Sequence, residues 1–224
     1  MITIVDYKAG NLTSVKRALD HLGIPSQISA NPAIVESAER IIFPGVGHAG
    51  TAMRVLKERG LDLALKAAFS RGTPILGICI GCQIILSRSE EGNTYGLNLI
   101  PGVCTRFQVG NTGLKIPHMG WNVVTVTRPH PILRHLLPGD ELYFVHSYYP
   151  QPANPATIYA TSDYGVQFPV AIGIRNLFAV QFHTEKSGPV GLQLLENFSN
   201  WDIEGSSEGA LQRSIYNSEP DRKA

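Results

Sequence analysis

Cys79 lies at the centre of Gly77-Ile78-Cys79-Ile80-Gly81, which has the glycine-x-nucleophile-x-glycine spacing of a nucleophile elbow. In such an elbow a sharp strand-to-helix turn points the nucleophile outward, and the flanking glycines leave room for neighbouring backbone. The positive end of the helix dipole favours the thiolate, which is the reactive form of cysteine. The backbone N–H of Ile80 is the predicted first donor to an oxyanion. The segment therefore predicts nucleophilic catalysis by Cys79.

The cysteines also leave other interpretations open. Cys79 and Cys82 form a C-x-x-C pair of the kind found in redox proteins, and a free cysteine is often an inert core residue. We assign no role to Cys104. Three cysteines are an odd number in a chain of 224 residues, which argues against a disulfide framework and indicates thiols that are kept reduced.

A thiolate nucleophile needs a base, and the best candidate is His183 in Gln181-Phe182-His183-Thr184-Glu185. His183 follows an apolar run, residues 177–182, so it is predicted to lie at the end of a strand. Residues two apart in an extended chain face the same way, so Glu185 is predicted to orient the imidazole and to stabilise its protonated form. His118 and His146 remain rival candidates for the base.

The first half of the chain predicts alternating strands and helices. Apolar runs predict strands at residues 2–7, 27–29, 40–43 and 74–79. Helical periodicity predicts a helix after Asn11, its expected N-cap, two helices over 49–71 and another over 82–88. This order predicts an α/β fold with a mostly parallel central sheet and helices on both faces. Ligands bind at the carboxyl ends of such strands, where the loops after residues 43 and 78 are expected.

The second half is predicted to be richer in β-structure. Segments at 122–127, 141–145, 157–162, 170–174 and 177–182 predict antiparallel additions to the sheet, and residues 188–201 predict a last helix. From residue 202 onward the chain is mostly polar. We therefore predict one domain over 1–201 and a flexible C-terminal tail over 202–224.

Composition excludes several classes of function. Hydrophobic residues make up 43% of the chain and charged residues 17%, which is typical of a globular domain and not of a disordered one. A net charge of +1 without a basic cluster argues against nucleic-acid binding. No run reaches the roughly 20 apolar residues that span a bilayer, so we expect no membrane association and a cytoplasmic location.

The elbow and the His183-x-Glu185 pair belong to a longer series of short motifs. The others lie at residues 6–12, 44–47, 117–122 and 146–148, and the elbow and the pair extend to 77–83 and 182–187. In this order the motifs resemble the class I, triad-type glutamine amidotransferase family. The resemblance covers the chain from its first strand to about Trp201 and implies a glutamine amidotransferase domain over that range.

The resemblance implies a role for each matched position. Cys79 would attack the carboxamide carbon of glutamine, His183 would protonate the departing ammonia, and Glu185 would complete the triad. Backbone N–H groups would form the oxyanion hole at Val46, Gly47 and Ile80. The substrate-binding residues would be Gly45, Gln83, His146, Ser147 and Tyr148.

The resemblance also implies a partner, a (β/α)₈-barrel cyclase subunit that consumes the ammonia in a heterodimer. The residues expected at that interface are Asn11, His118, Met119, Trp121, Asn122 and Lys186. No cofactor and no metal are expected. Two alternatives stay open, namely a glutaminase of the same class that serves another synthase, and a non-catalytic module that docks and regulates a partner.

Overall fold

Short apolar runs form the parallel strands at the centre of the molecule. The computed structural model describes residues 1–8, 10–110 and 113–203. Its first half contains strands β1 (Ile2–Val5), β2 (Ser26–Ser29), β3 (Arg40–Gly45) and β4 (Ile75–Cys79). The helices are α1 (Leu12–His21), α2 (Pro32–Glu36), α3 (Ala49–Glu58), α4 (Leu61–Arg71) and α5 (Ile80–Ile84).

The second half is mainly β-structure. Its strands are β5 (Leu86–Ser89), β6 (Thr94–Tyr95), β7 (Ile100–Arg106), β8 (His118–Val123), β9 (Thr125–Val126), β10 (Glu141–His146), β11 (Tyr148–Pro152), β12 (Ile158–Asp163), β13 (Gln167–Ile174) and β14 (Leu177–Val180). A 3₁₀ turn spans Thr184–Lys186, and helix α6 spans Gly188–Ser199. The predicted last helix is thus confirmed.

An eight-stranded sheet organises these elements in the order β2-β1-β3-β4-β14-β13-β12-β9. The neighbours from β2 to β14 pair in parallel, and β14, β13, β12 and β9 pair antiparallel. The prediction of a mostly parallel sheet with antiparallel additions is confirmed.

Helices cover both faces of this sheet because successive strand residues point to opposite sides. Ile42 of β3 packs in a core that includes Leu19 of α1 and Leu195 of α6. Its neighbour Phe43 packs in a second core with Leu56 of α3. The alternation of a few strand residues therefore produces two buried layers, one on each side of the sheet.

The predicted helix over 82–88 is wrong beyond Ile84. The chain turns there into β5, which joins a four-stranded sheet of order β11-β7-β5-β6. Gly96 packs so closely beside this strand that a Cβ atom on it would overlap the carbonyl oxygen of Leu86. A short apolar run fits a buried helix and a buried strand equally well, so periodicity could not separate them.

The described residues include only the first two residues of the predicted C-terminal tail, 202–224. Trp201, just after α6, is 3% exposed and packs against His130 and Phe198. Most of the predicted tail, from residue 204 on, lies outside the described residues. Within residues 1–8, 10–110 and 113–203, the longest apolar helices are too short to cross a membrane.

Candidate active site

Cys79 occupies the turn between β4 and α5 with the strained backbone that a nucleophile elbow requires. Its φ of 54° and ψ of −107° are rare for a residue with a side chain. The flanking glycines permit the tight packing around it. A Cβ on Gly77 would stand 3.0 Å from the Cβ of Ala179, and one on Gly81 would overlap the carbonyl oxygen of Phe43. The sequence therefore builds the elbow by placing glycine where two strands approach the turn.

The adjacent parallel strand brings the predicted base, His183, to the same edge of the sheet. Val180 of β14 pairs with Ile78 of β4, so the residues after β14 emerge beside Cys79. His183 and Glu185 meet there, with 2.7 Å between Nδ1 and Oε1 and side chains that are 1% and 0% exposed. The predicted contact is present, but a 3₁₀ turn over Thr184–Lys186 produces it, not an extended segment.

Charge on both sides sets the protonation of His183. Burial lowers its pKa, but the side-chain interactions with Cys79 and Glu185 outweigh burial and raise the pKa to about 10. Because Nδ1 faces Glu185, the interaction with Cys79 falls to Nε2, which forms no hydrogen bond with any described residue. The arrangement favours a protonated imidazole at neutral pH, with Nε2 on the side of the Cys79 sulfur.

Asn11 has a different role from the predicted helix cap. It precedes α1 with a φ of 80°, and its side chain makes no capping hydrogen bond. Its amide instead donates to Oε1 of Glu185 and lies 3.5 Å from Nδ1 of His183. Asn11 therefore orients Glu185, the predicted acid, which its prediction as an interface residue had not anticipated.

Gln181 is a site residue that the sequence argument missed. It is fully buried, and its amide nitrogen donates to Sγ of Cys79 over 3.8 Å. Its amide oxygen accepts from Gln83, 3.2 Å away, and Gln83 also donates to the carbonyl oxygen of Tyr148 at 3.0 Å. The signal was available, since Gln181 lies two residues before His183 and such residues of an extended segment face the same way.

A cavity of about 230 Å³ opens in front of the thiol. Its lining residues are Val46, Gly47, Cys79, Ile80, Gln83, Glu91, Pro117, Val145, His146, Ser147 and Tyr148. The predicted oxyanion segment and four of the five predicted substrate residues thus surround one space. Gly45 is the exception, because it is buried in β3 behind the cavity, where it pairs with Cys79 of β4.

Glu91 is a second site residue that the sequence argument missed, and it lines this cavity. It follows the small strand β5, and one carboxylate oxygen accepts from the backbone N–H of Ala49 at 2.6 Å. The carboxylate thus holds the start of α3 while it lines the cavity. No motif marks Glu91 in the sequence, because a single acidic residue in a turn is ordinary.

The predicted interface residues separate into exposed and buried groups. Met119 and Trp121 of β8 are 62% and 53% exposed, and Lys186 is also exposed. His118 differs from the prediction, because its side chain is only 2% exposed and points inward, so it is not available to a partner. Asn122 is half-buried and donates to the carbonyl oxygen of Asp163 at 2.8 Å. The alternating faces of one strand explain the division.

The fold and the cysteine site together correspond to a known class of enzyme. Residues 3–200 match the family described as Glutamine amidotransferase class-I. The chain belongs to this family and is a glutamine amidotransferase.

Individual relatives refine the comparison. The chain is 52% identical over 203 residues to Imidazole glycerol phosphate synthase subunit HisH of Desulfovibrio desulfuricans, covering 88% of this chain and 93% of that protein. It is 50% identical over 211 residues to the subunit of the same name from Nitratidesulfovibrio vulgaris, covering 92% and 99%.

Solved structures support the fold. A putative GMP synthase subunit from Thermoplasma acidophilum superposes with a TM-score of 0.67 at 22% identity, covering 97% of each chain. PurLQS from Thermotoga maritima gives a TM-score of 0.69 at 17% identity, covering 89% of this chain and 97% of that one.

Proposed function

We propose that this chain is the glutaminase subunit of an imidazole glycerol phosphate synthase, and that Cys79, His183 and Glu185 are its catalytic residues. The observation that carries the proposal is the buried His183–Glu185 pair, which interacts with a cysteine held in a strained elbow at the cavity. The identity to the HisH subunits over most of the chain supports the choice of synthase.

The geometry supports a double-displacement reaction. The Cys79 thiolate attacks the carboxamide carbon of glutamine, and the C–N bond breaks as the imidazolium of His183 gives its proton to the leaving ammonia. His183, now neutral, takes a proton from water as that water attacks the thioester. The C–S bond then breaks, which releases glutamate and restores the thiolate. Glu185 stays ionised and stabilises each imidazolium state.

Backbone donors around the cavity would stabilise the oxyanion. The N–H of Ile80 begins α5 directly after the nucleophile, and Val46 and Gly47 lie across the cavity from it. Gly47 has a φ of 115°, which favours glycine and allows the peptide plane to turn. We assign the second oxyanion donor to this two-residue segment.

Charge supports a position beside Glu91 for the amino-acid end of glutamine. The carboxylate of Glu91 lines the space and fits the α-ammonium group, while Gln83 and the chain at Ser147 and Tyr148 supply polar atoms. Gly45 supports this arrangement from behind through its pairing with Cys79.

The partner is proposed to be a barrel-shaped cyclase that consumes the ammonia. The exposed side chains of Met119, Trp121 and Lys186 supply the docking surface, and Trp121 and Lys186 both contact the ring of Tyr143. Asn11 and Asn122 connect this side of the molecule to the interior. The three cysteines are free, which fits a cytoplasmic location where thiols stay reduced.

We further propose that docking activates hydrolysis. A Cβ on Gly10 would stand 3.0 Å from Cγ2 of Val46, so the chain before α1 lies against the oxyanion segment. Asn11, the next residue, bonds Glu185. A partner that binds more tightly when residues 46 and 47 point an N–H into the cavity would favour that conformation over one that points it away. The size of the shift is limited by the difference between the partner's affinities for the two conformations.

The test measures glutamate released from glutamine by the protein alone, with a candidate cyclase subunit, and with the cyclase plus its nucleotide ligand. We expect the rate to rise at each step, Cys79→Ala to abolish it, and Trp121→Ala to reduce the stimulation. Equal wild-type rates in the three mixtures would exclude activation by the partner. Activity that survives in Cys79→Ala would overturn the catalytic assignment.

The two alternatives give different results in the same test. A glutaminase of another synthase would hydrolyse glutamine without binding or responding to this cyclase. A non-catalytic docking module would bind it and release no glutamate in any mixture.

A further inference from the structure

A chain of hydrogen bonds crosses the interior from β8 to the wall of the cavity. The amide nitrogen of Asn122 lies 3.2 Å from Nε2 of His118. Nδ1 of His118 lies 3.0 Å from Nε2 of His146, and Nδ1 of His146 lies 2.7 Å from the carbonyl oxygen of Tyr148. His118 and His146 are 2% and 5% exposed, so water does not compete for these contacts.

Both ends of this series of hydrogen bonds assign the ring protons in the same direction. The carbonyl oxygen of Tyr148 only accepts, so Nδ1 of His146 carries a proton and its Nε2 accepts. Nδ1 of His118 must then donate to that Nε2, which leaves Nε2 of His118 as an acceptor. Asn122 supplies the matching donor at the other end, because its amide nitrogen only donates. Both imidazoles are thereby fixed in the Nδ1–H tautomer.

The surroundings keep both rings neutral and in place. Burial lowers the pKa of His118 to about 4. Burial also lowers the pKa of His146 to about 3, because it outweighs the hydrogen bond to the Tyr148 carbonyl, which alone would raise it. Phe144 stacks on His118, and Phe107 packs against both rings. Aromatic packing and a complete set of partners leave little freedom for either ring to turn.

The same carbonyl connects this chain to the nucleophile. The carbonyl oxygen of Tyr148 also accepts a hydrogen bond from the amide nitrogen of Gln83. That nitrogen donates to the amide oxygen of Gln181 as well, and the amide nitrogen of Gln181 donates to Sγ of Cys79. The position of Tyr148 thus constrains the donor that faces the sulfur. Two buried groups converge on one backbone oxygen, and a displacement of either one shifts the other.

We propose that His118 is a positioning residue for glutamine hydrolysis, which fixes the tautomer of His146 and thereby holds the Tyr148 wall and the Gln83–Gln181 donor pair in place. It reaches neither substrate nor sulfur itself. The inference rests on the proposed glutaminase function, since its kinetic effect needs glutamine as the substrate. Its structural part, the tautomer of each ring, is independent of any activity.

A matched pair of variants isolates the donor at Nδ1. His118→Asn and His118→Leu remove the same aromatic ring, but only asparagine keeps an N–H group near the position of Nδ1. We expect His118→Leu to lower kcat/KM for glutamine at least tenfold, with a higher KM and slower alkylation of Cys79 by iodoacetamide. His118→Asn should recover most of each loss.

His130→Leu is the control for the loss of a buried histidine. His130 is 7% exposed and stacks on Phe178, away from the cavity residues. We expect this variant to keep kcat/KM within about threefold of the wild type. Equal losses in His118→Leu, His118→Asn and His130→Leu would overturn the positioning role, because they would trace the effect to general destabilisation.

Nitrogen-15 NMR of the wild-type protein tests the tautomers directly. We expect His118 and His146 to be neutral at pH 7, each with its proton on Nδ1. A proton on Nε2 of either ring overturns the inference, whether or not the variants fold and whether or not glutamine is hydrolysed. The expected tautomers in a protein that hydrolyses no glutamine, alone or with the cyclase, would reject the proposed function instead.

Discussion

The exchange of Glu185 for glutamine separates the charge of the proposed triad acid from its geometry. Oε1 accepts from both His183 and Asn11, whereas Oε2 is buried and has no partner among the described residues. In Glu185→Gln the amide oxygen can keep both bonds, with its NH₂ group at the site of Oε2. The His183 tautomer is then preserved, and only the negative charge is lost.

The size of the effect follows from that lost charge. A hydrogen bond to a charged group stabilises by about 1 kcal/mol more than a neutral one, which is the lower limit. Two unit charges about 4 Å apart at an effective dielectric constant of about 20 interact by about 4 kcal/mol, which is the upper limit. Since about 1.4 kcal/mol corresponds to a tenfold change in rate, we expect kcat to fall between about 5-fold and 1000-fold.

The assay is glutamate release at saturating glutamine, in the presence of the cyclase and its nucleotide ligand. Glu185→Ala should be slower than Glu185→Gln, because it also frees the imidazole and Asn11, and His183→Ala should be slowest. Glu58→Gln serves as the control, since Glu58 is exposed and pairs with Arg54 on its own helix. A Glu185→Gln enzyme within twofold of the wild type would refute the role of the charge.

Three further predictions concern the elbow and the core. Cys82→Ala should keep most of the glutaminase activity, because burial raises the pKa of the Cys82 thiol and leaves Cys79 as the nucleophile. Activity lost equally in both cysteine variants would support the redox interpretation. Burial, followed by the charge of Arg128, lowers the pKa of His130 to about 3. Below pH 6.5 this histidine therefore takes up a proton on unfolding, and the free energy of unfolding decreases as the pH is lowered. In urea titrations from pH 6 to 4, His130→Leu should lose about 1.4 kcal/mol less per pH unit than the wild type; parallel curves would contradict this. Gly81→Ala should lower the free energy of unfolding by about 2 kcal/mol or more, because its methyl group overlaps the carbonyl oxygen of Phe43. Unchanged urea midpoints would show that the backbone relaxes.

The parallel half of the fold could be predicted because its signals are local. Central strands such as β4 are continuous apolar runs bounded by turn residues, and the elbow glycines are adjacent to the nucleophile. The contact between His183 and Glu185 was also predictable from proximity in sequence. Its backbone was not, because a 3₁₀ turn and an extended segment can both bring these two side chains together.

The missed features depend on partners far away in the sequence. Asn11 contacts His183, which lies 172 residues later in the sequence, and Gln181 contacts Cys79, 102 residues earlier. Glu91 accepts a hydrogen bond from Ala49, 42 residues earlier. Local propensity assigned Asn11 to a helix cap and gave the other two polar residues no role. The small sheet around β5 was missed for the same reason, because its strands are defined by pairing and not by their own composition.

The proposed oxyanion segment is short because it is fixed at both ends. Gly45 is held in register with Cys79, and the N–H of Ala49 is held by Glu91, so only the exposed residues 46–48 lie between these anchors. A change of state there turns a few backbone dihedrals and moves no helix or strand. Such loop motions take nanoseconds to microseconds, whereas a typical enzyme turns over about 1 to 1000 times per second. Activation would therefore be an equilibrium re-established many times within each catalytic cycle, and once the complex has formed, progress curves would be linear from the start without a lag.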